Sequence, residues 1–185
     1  MSTKPACVNI PLVVKNLSFL LIILLFSGCS SSKKTIIADS LDATPVITGS
    51  VIDAAAFQKG GTLVLGAFKP GPGAAADDET DRLSLAIVKG IKETLPDDAA
   101  HFTLVPDDQK DSDCFLDGYI EDYGRKGHMV HLSVDGEIWL QSSGEKIFSF
   151  QTAIMIDLKT QNPKTIAYQI GIAIAHFIGS HMQEG

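Results

Sequence analysis

Apolar residues recur with two different periods along this chain, and the change of period outlines its secondary structure. Residues 62–68 form a short, almost continuous apolar run, which predicts a strand buried on both faces. Residues 78–95 instead carry an apolar residue at every fourth position, the spacing of one helix face: Leu83, Ile87, Ile91 and Leu95. Carboxylates crowd the start of this segment, where a helix dipole favours them, and Pro96 favours its end.

Four further strands are predicted at residues 101–105, 114–123, 128–141 and 147–158. The third of these alternates apolar and polar residues, the period of a half-buried strand, and Gly136 in its middle marks a candidate β-bulge. Asn162 and Pro163 fit the first positions of a helix whose apolar face ends near Gly179. Residues 47–59 are ambiguous between a short strand and a short helix.

The resulting order of elements is β-α-β-β-β-β-α, and it indicates the fold class. A strand, a helix and a second strand in succession favour a parallel pair joined by a right-handed crossover. The last three strands favour an antiparallel meander. With two helices on one face of this mixed sheet, we expect an α+β two-layer sandwich.

The amino-terminal segment has the pattern of an export signal. Lys4 and Lys15 precede an apolar run at residues 20–26, and the small residues Ser27 and Gly28 follow it. This arrangement is typical of a secretory signal peptide. A transmembrane helix needs about 20 apolar residues, so an uncleaved anchor is a weaker alternative.

Cys29 directly follows the two small residues, and the segment therefore resembles the lipobox of bacterial lipoproteins. In that family a signal peptidase cuts before the cysteine, whose sulfur carries diacylglycerol and whose new amino group receives a fatty acid such as palmitate. The resemblance implies a signal peptide at 1–28, lipid on Cys29 and a flexible tether through residue 50. Ser30 in place of Asp implies the outer membrane, with the domain at 51–185 facing the periplasm. A signal peptide cleaved without lipidation is the alternative.

The net charge of the chain limits the classes of partner that it can bind. Without residues 1–28, 13 Lys and Arg face 22 Asp and Glu, so the net charge is −9. This acidity argues against nucleic acid and against charge-driven binding to anionic lipid, which both require basic surfaces. The membrane is reached through the acyl chains instead.

Cys7 leaves with the signal peptide and Cys29 is lipidated, so Cys114 has no disulfide partner and is predicted to be a buried, unreactive thiol.

Candidate catalytic groups do not fall together in the pattern, and we expect neither an enzyme nor a metal site. His128 and His131 are three residues apart on one strand, which places them on opposite faces. His176 and His181 are five apart at a helix end and also diverge. We therefore assign no catalytic residues, no metal ligands and no cofactor.

Two other patterns imitate binding sites. Gly71 and Gly73 precede a helix, as in a phosphate-binding loop, but the Lys-Ser/Thr pair of that loop is missing. The carboxylates at 77–81 lack the ligand spacing of an EF-hand, so we interpret them as a solvated capping cluster.

Trp139, the single tryptophan, is the candidate for a partner contact. It is predicted to lie near Phe148 and Phe150 across a hairpin. Cross-strand aromatic pairs stabilise sheets, so structural packing is one interpretation. An exposed anchor for a protein partner is the alternative, because tryptophan is enriched in interface hot spots.

One short motif resembles a group of periplasmic domains. In that group an acidic residue, apolar residues and a glycine open the central strand; here Asp113, Phe115, Leu116 and Gly118 stand at matching places. The order of the surrounding elements is also similar. The group comprises the curli-secretion channel lipoprotein, the lipoprotein activators of penicillin-binding proteins and the amino-terminal domain of the Tol-system propeller protein. The chain lacks the long amphipathic hairpin pair that builds a secretion barrel.

The resemblance implies protein binding without catalysis. We expect a lipid-anchored lipoprotein that binds another cell-envelope protein as an adaptor or activator. The alternative is a subunit of an oligomeric secretion or trans-envelope complex. An envelope hydrolase is least favoured, because no two catalytic groups can be placed together.

The anchor is tested by Cys29→Ser. A serine oxygen cannot replace the thiolate in the lipid-transfer step, so we expect unprocessed precursor without lipid. Metabolic labelling with a radioactive fatty acid measures this, and equal label in the variant and the natural protein would contradict the lipoprotein assignment.

Overall fold

Six strands and three helices make up residues 45–109 and 111–182, the part of the protein that the computed structural model describes. In chain order they are β1 (Val46–Val51), α1 (Ala54–Lys59), β2 (Gly61–Gly73), α2 (Asp78–Asp98), β3 (Phe102–Val105), β4 (Cys114–Lys126), β5 (Met129–Leu140), β6 (Lys146–Asp157) and α3 (Pro163–Met182). Within this part, no helix is both long and apolar enough to cross a membrane.

All six described strands belong to one mixed sheet, in the order β1-β6-β5-β4-β2-β3. β2 runs parallel to β3, to which α2 connects it, and parallel to β4 on its other side. β4, β5 and β6 form an antiparallel meander, and β1 adds to its edge. The α+β fold, the parallel pair and the meander are confirmed.

The amino-terminal edge of the sheet begins earlier than the sequence indicated. Val46–Val51 pairs with β6 although most of it lies in the predicted tether, because its backbone completes the ladder along the free edge of β6. The ambiguous residues 47–59 contain both alternatives, a strand followed by a short helix. Asp53 separates the two, since its carboxylate accepts a hydrogen bond from the Ala56 N–H at 3.0 Å and caps α1.

Gly136 is not a bulge. It pairs in register with Gly118 and Phe150, and the irregularity in the β4–β5 ladder lies at residues 120–122. A Cβ atom at Gly136 would lie 2.2 Å from Cζ of the Phe150 ring, and one at Gly118 would lie 2.6 Å from Cε1 of Phe68. The two glycines therefore make room for aromatic rings that lie across the sheet.

The helices α2 and α3 supply the other half of the core. The predicted face of α2 is confirmed, because Leu83, Ile87, Ile91 and Leu95 are all buried. The face of α3 is buried as well, through Ile166, Ile170, Ile174, Phe177 and Ile178. α1 contributes one ring, Phe57, which stacks on Phe148 with centroids 4.8 Å apart.

Two glycines bring α2 and α3 into direct backbone contact. A Cβ atom at Gly90 would lie 2.3 Å from the carbonyl oxygen of Tyr168, and one at Gly171 would lie 2.1 Å from that of Ile87. No side chain fits at these positions unless the helices separate. The contact makes the two helices a continuous layer over one face of the sheet.

Gly171→Ala tests this helix contact. At an exposed helix position the change would stabilise by about 1 kcal/mol, through backbone entropy. Here the new methyl group overlaps a backbone oxygen, and overpacking of a core costs about 1–3 kcal/mol or more. We expect a net loss of stability of at least about 1 kcal/mol in urea denaturation.

The matched control is Gly124→Ala on β4. Gly124 is exposed, and a Cβ atom added there would have a carboxylate oxygen of Asp122 as its nearest neighbour, at 3.3 Å. We expect a change within about 0.5 kcal/mol. A Gly171→Ala protein as stable as the control would show that the helices are not in backbone contact.

Candidate interaction face

One face of the sheet packs against the helices, and its other face carries none of them. Buried and outward positions alternate along β4 and β5. The outward side chains of these central strands define what we term the helix-free face: Phe115, Asp117 and Tyr119 on β4, with Asp135, Glu137 and Trp139 on β5.

Trp139 lies half-buried on the helix-free face. Its neighbours differ from those predicted: it pairs directly with Phe115 on β4, and the Lys146 ammonium lies 5.0 Å from its ring centroid. Phe148 and Phe150 are buried in the core on the helix side instead. The prediction of those two neighbours was wrong because the strand pairing places them on the opposite side of the sheet.

An apolar strip extends from Trp139 across three more strands. Phe115 is next, then Val64 on β2 and Val105 on β3. A Cβ atom at Gly66 would lie 2.6 Å from Cζ of Phe115, so this glycine lets the ring lie against β2. Val64 is only 3% exposed although it lies outside the helix-side core. The aromatic side chains of the strip thus shield part of it from solvent.

Carboxylates occupy the centre of the helix-free face. Asp117 stands directly opposite Glu137, and Glu137 pairs with Lys146. Burial raises the pKa of the Asp135 carboxyl, with the charges of Glu121 and Glu137 adding to the shift. Within the described residues, neither Asp117 nor Asp135 has a cation at ion-pair distance. Like charges opposite each other do not stabilise a sheet, so Asp117 gains nothing for the fold from facing Glu137.

Tyr119 and the outward carboxylates were not among the predicted site residues. Tyr119 is 45% exposed and pairs with Asp135 across β4 and β5. The signal for these residues was present, since polar or aromatic residues occur at every second position of β4. What the sequence lacked was the strand pairing that brings them together with those of β5.

The histidines have separate surroundings. His131 Nδ1 lies 2.9 Å from a carboxylate oxygen of Asp122, while His128 is exposed at the β4–β5 turn. His176 contacts a carboxylate of α2, and His181 packs against aromatic rings of the core. In the part of the chain that the structure describes, no three His, Cys, Asp or Glu side chains converge as metal ligands would.

The glycine-rich segment after residue 68 is part of a strand and not a loop. β2 continues to Gly73 and pairs with β4, and a Cβ atom at Gly71 would lie 2.9 Å from the Glu121 Cα. These glycines therefore permit close approach of two strands. The acidic cluster caps α2: Asp77 accepts hydrogen bonds from the N–H groups of Glu79 and Thr80, and the bond from Thr80 is the main cause of its lowered pKa.

The motif that carries the family resemblance has a structural role here. The Asp113 carboxylate accepts hydrogen bonds from the Thr62 N–H and hydroxyl, both at 2.8 Å, and its own N–H donates to that hydroxyl. The bond from the Thr62 N–H is the main cause of the lowered pKa of Asp113. Leu116 is buried in the core, and Gly118 accommodates Phe68. The motif therefore fixes β4 against β2.

Cys29 lies outside the described residues, and its lipidation stays a prediction. Cys114 is buried, in agreement with its position in an apolar strand. Burial, with a smaller contribution from the adjacent Asp113 charge, raises the pKa of its thiol to about 11.

The fold has counterparts among solved structures of bacterial proteins. The PelC dodecamer from Paraburkholderia phytofirmans matches with a TM-score of 0.50 and 10% identity, over 73% of this chain and 97% of that chain. A second crystal form, of a PelC variant, gives a TM-score of 0.51 and 12% identity over the same shares. Lipoprotein GNA1162 from Neisseria meningitidis gives 0.42 and 9%, over 63% and 96%. No protein-family model and no curated protein matches the sequence.

The thiol of Cys114 should be unreactive in the folded protein. With a pKa of about 11, roughly one thiol in a thousand is ionised at pH 8, against about one in ten at the ordinary value of 9.0. Alkylation followed by peptide mass spectrometry should show modification of Cys114 in denaturant and almost none under native conditions. Rapid native modification would contradict its burial.

Proposed function

We propose that this protein is a lipid-anchored outer-membrane lipoprotein that acts by binding another cell-envelope protein through its helix-free face. The observation that carries the proposal is the composition of that face. Aromatic side chains with part of their surface exposed lie beside Asp117 and Asp135, two carboxylates with no cation at ion-pair distance among the described residues. Aromatic anchors surrounded by polar groups are the usual anatomy of a binding surface.

The anchor and location are supported by the amino-terminal pattern. Ser27-Gly28-Cys29 after an apolar run is the arrangement that lipoprotein processing requires, and Ser30 favours the outer membrane with the domain in the periplasm. The acidic domain itself has no basic surface excess for attachment to anionic lipid. The acyl chains would therefore supply the attachment to the membrane.

An adaptor or activator role is supported by the resemblance to the curli-secretion, penicillin-binding-protein activator and Tol-system domains. The β4 motif of this chain builds the centre of the sheet that presents the helix-free face. The proposal assigns no catalytic role, and the separation of the histidines favours binding over acid–base chemistry.

A second candidate function is that of a subunit in an oligomeric envelope complex. It is favoured by one comparison: PelC, whose fold this domain shares at a TM-score of 0.50, forms a dodecamer. A mass measurement of the purified lipoprotein, without any partner, separates the two candidates. A monomer favours the adaptor, and a defined oligomer favours the subunit.

Trp139→Ala tests the binding face. Loss of an interface anchor costs about 2 kcal/mol or more, so we expect partner capture to fall by at least about tenfold. The measurement is site-specific photo-crosslinking from the helix-free face in intact cells, with the captured proteins identified by mass spectrometry. A melting curve checks that the variant is folded.

Ile52→Ala is the matched control, since Ile52 is an exposed apolar residue outside the helix-free face. It should leave capture unchanged. If a folded Trp139→Ala protein captures the same partners as strongly as this control, the helix-free face is not the binding surface.

A further inference from the structure

The outer side of the helix layer carries a groove between α2 and α3. We term it the helix groove. It is lined by Leu85, Ala86 and Lys89 from α2, with Lys164, Thr165 and Tyr168 from α3. Leu85 is 70% exposed and lies in the groove together with Ala86 and the Tyr168 ring, so the apolar surface here is continuous over two helices. The Lys89 ammonium lies 5.7 Å from the centroid of the Tyr168 ring.

Two lysines line this groove, whereas carboxylates occupy the centre of the helix-free face. Lys89 and Lys164 flank its apolar floor, and Glu93 is the carboxylate that pairs with Lys89, at 3.7 Å. Glu93 also accepts a hydrogen bond from the Tyr168 hydroxyl at 2.7 Å. Lys164 has no ion pair within the described residues. The groove therefore presents the exposed Leu85 between two lysines. Lys89 is paired with Glu93, and Lys164 borders a second pocket whose lining includes Asp78 and Glu79.

Each surface has what the other lacks. The helix-free face offers the exposed ring of Tyr119, the half-buried Trp139, and the carboxylates Asp117 and Asp135, which have no ion pair within the described residues. The helix groove offers Leu85 and Lys164, which likewise has no ion pair there. Opposite potentials on two apolar surfaces favour association and fix its orientation. Such a contact would also place a cation near Asp117, which faces Glu137 and lacks the ion pair that Lys146 gives Glu137.

We propose that the occupant of the helix-free face is a second copy of this chain, bound through its helix groove. The proposal rests on the second candidate function, self-assembly. The two surfaces lie on opposite sides of a two-layer domain, so the same patch cannot serve both partners. The contact is therefore head-to-tail, and each added copy leaves one surface of each kind unoccupied unless the assembly closes into a ring.

Two charge reversals test the contact, and a melting curve of each variant checks that it is folded. Asp117→Lys removes the repulsion with Glu137 and places a cation on the helix-free face. Lys164→Glu places an acid in the first turn of α3, where the helix dipole favours it. Each reversal brings like charges together at the proposed contact. We expect each variant alone to need at least about tenfold more protein for assembly.

The decisive measurement uses the two variants together. Full-length lipoprotein is purified in detergent, and its mass is followed against concentration by light scattering with the detergent contribution subtracted. In an equal mixture, the helix-free face of the Asp117→Lys variant binds the helix groove of the Lys164→Glu variant, so that both reversed charges meet. The unaltered face of the second variant then binds the unaltered groove of the first, with the natural charges. Assembly should return to that of the natural protein, both in the mixture and in the double variant.

Charge reversals elsewhere serve as controls. Asp107→Lys and Lys159→Glu change exposed loop residues by the same charges and should leave assembly unaffected. If the natural protein assembles but neither reversal weakens it, or the mixture fails to recover, the proposed contact is wrong while self-assembly stands. If the natural protein is a monomer at every concentration, self-assembly and this contact are both wrong, and the adaptor proposal is unaffected.

Discussion

The contact between Gly90 and Gly171 is the constraint on which the rest of this structure depends. It allows two helices to meet backbone to backbone, at positions where a single methyl group would overlap a carbonyl oxygen. The helices consequently share one face of the sheet as a continuous layer. The same contact brings Leu85 and Lys89 of α2 beside Lys164 and Tyr168 of α3, so it creates the outer groove as well as the inner core.

Glycines also allow close packing within the sheet. Gly118 and Gly136 are adjacent across β4 and β5, and each lies beneath an aromatic ring from a neighbouring strand. Phe68 and Phe150 thereby fill the space that absent side chains leave on the helix side. On the other face, Phe115 lies over Gly66 in the same manner. Rings that cover glycines supply packing while the strands keep their register.

Because these contacts place both long helices on one side of the sheet, its two faces differ in composition. The uncovered face of such a sheet contributes less to the core, so the stability of the fold does not fully determine which residues occur there. On this face Asp117 opposes Glu137 with a cation, Lys146, beside only one of them. Like charges opposite each other weaken a sheet, and a cation supplied by a partner would offset this at Asp117. Lys89 and Lys164 line the helix groove, which supports the proposal that the chain assembles with itself through these two surfaces.

The sequence by itself determined the type of most elements, the apolar face of α2 and the mixed α+β sheet, because these depend on the period of apolar residues along the chain. It also indicated that Cys114 is buried. It did not determine the neighbours of Trp139, the strand at Val46–Val51 or the continuation of β2 to Gly73. Those depend on hydrogen bonds and pairing with residues distant in the chain, and a one-residue difference in register moves a side chain to the other face. For the same reason the carboxylates of β4 and β5 became a single surface only when the strands paired, and only the tertiary structure placed a groove of opposite charge on the other side of the domain.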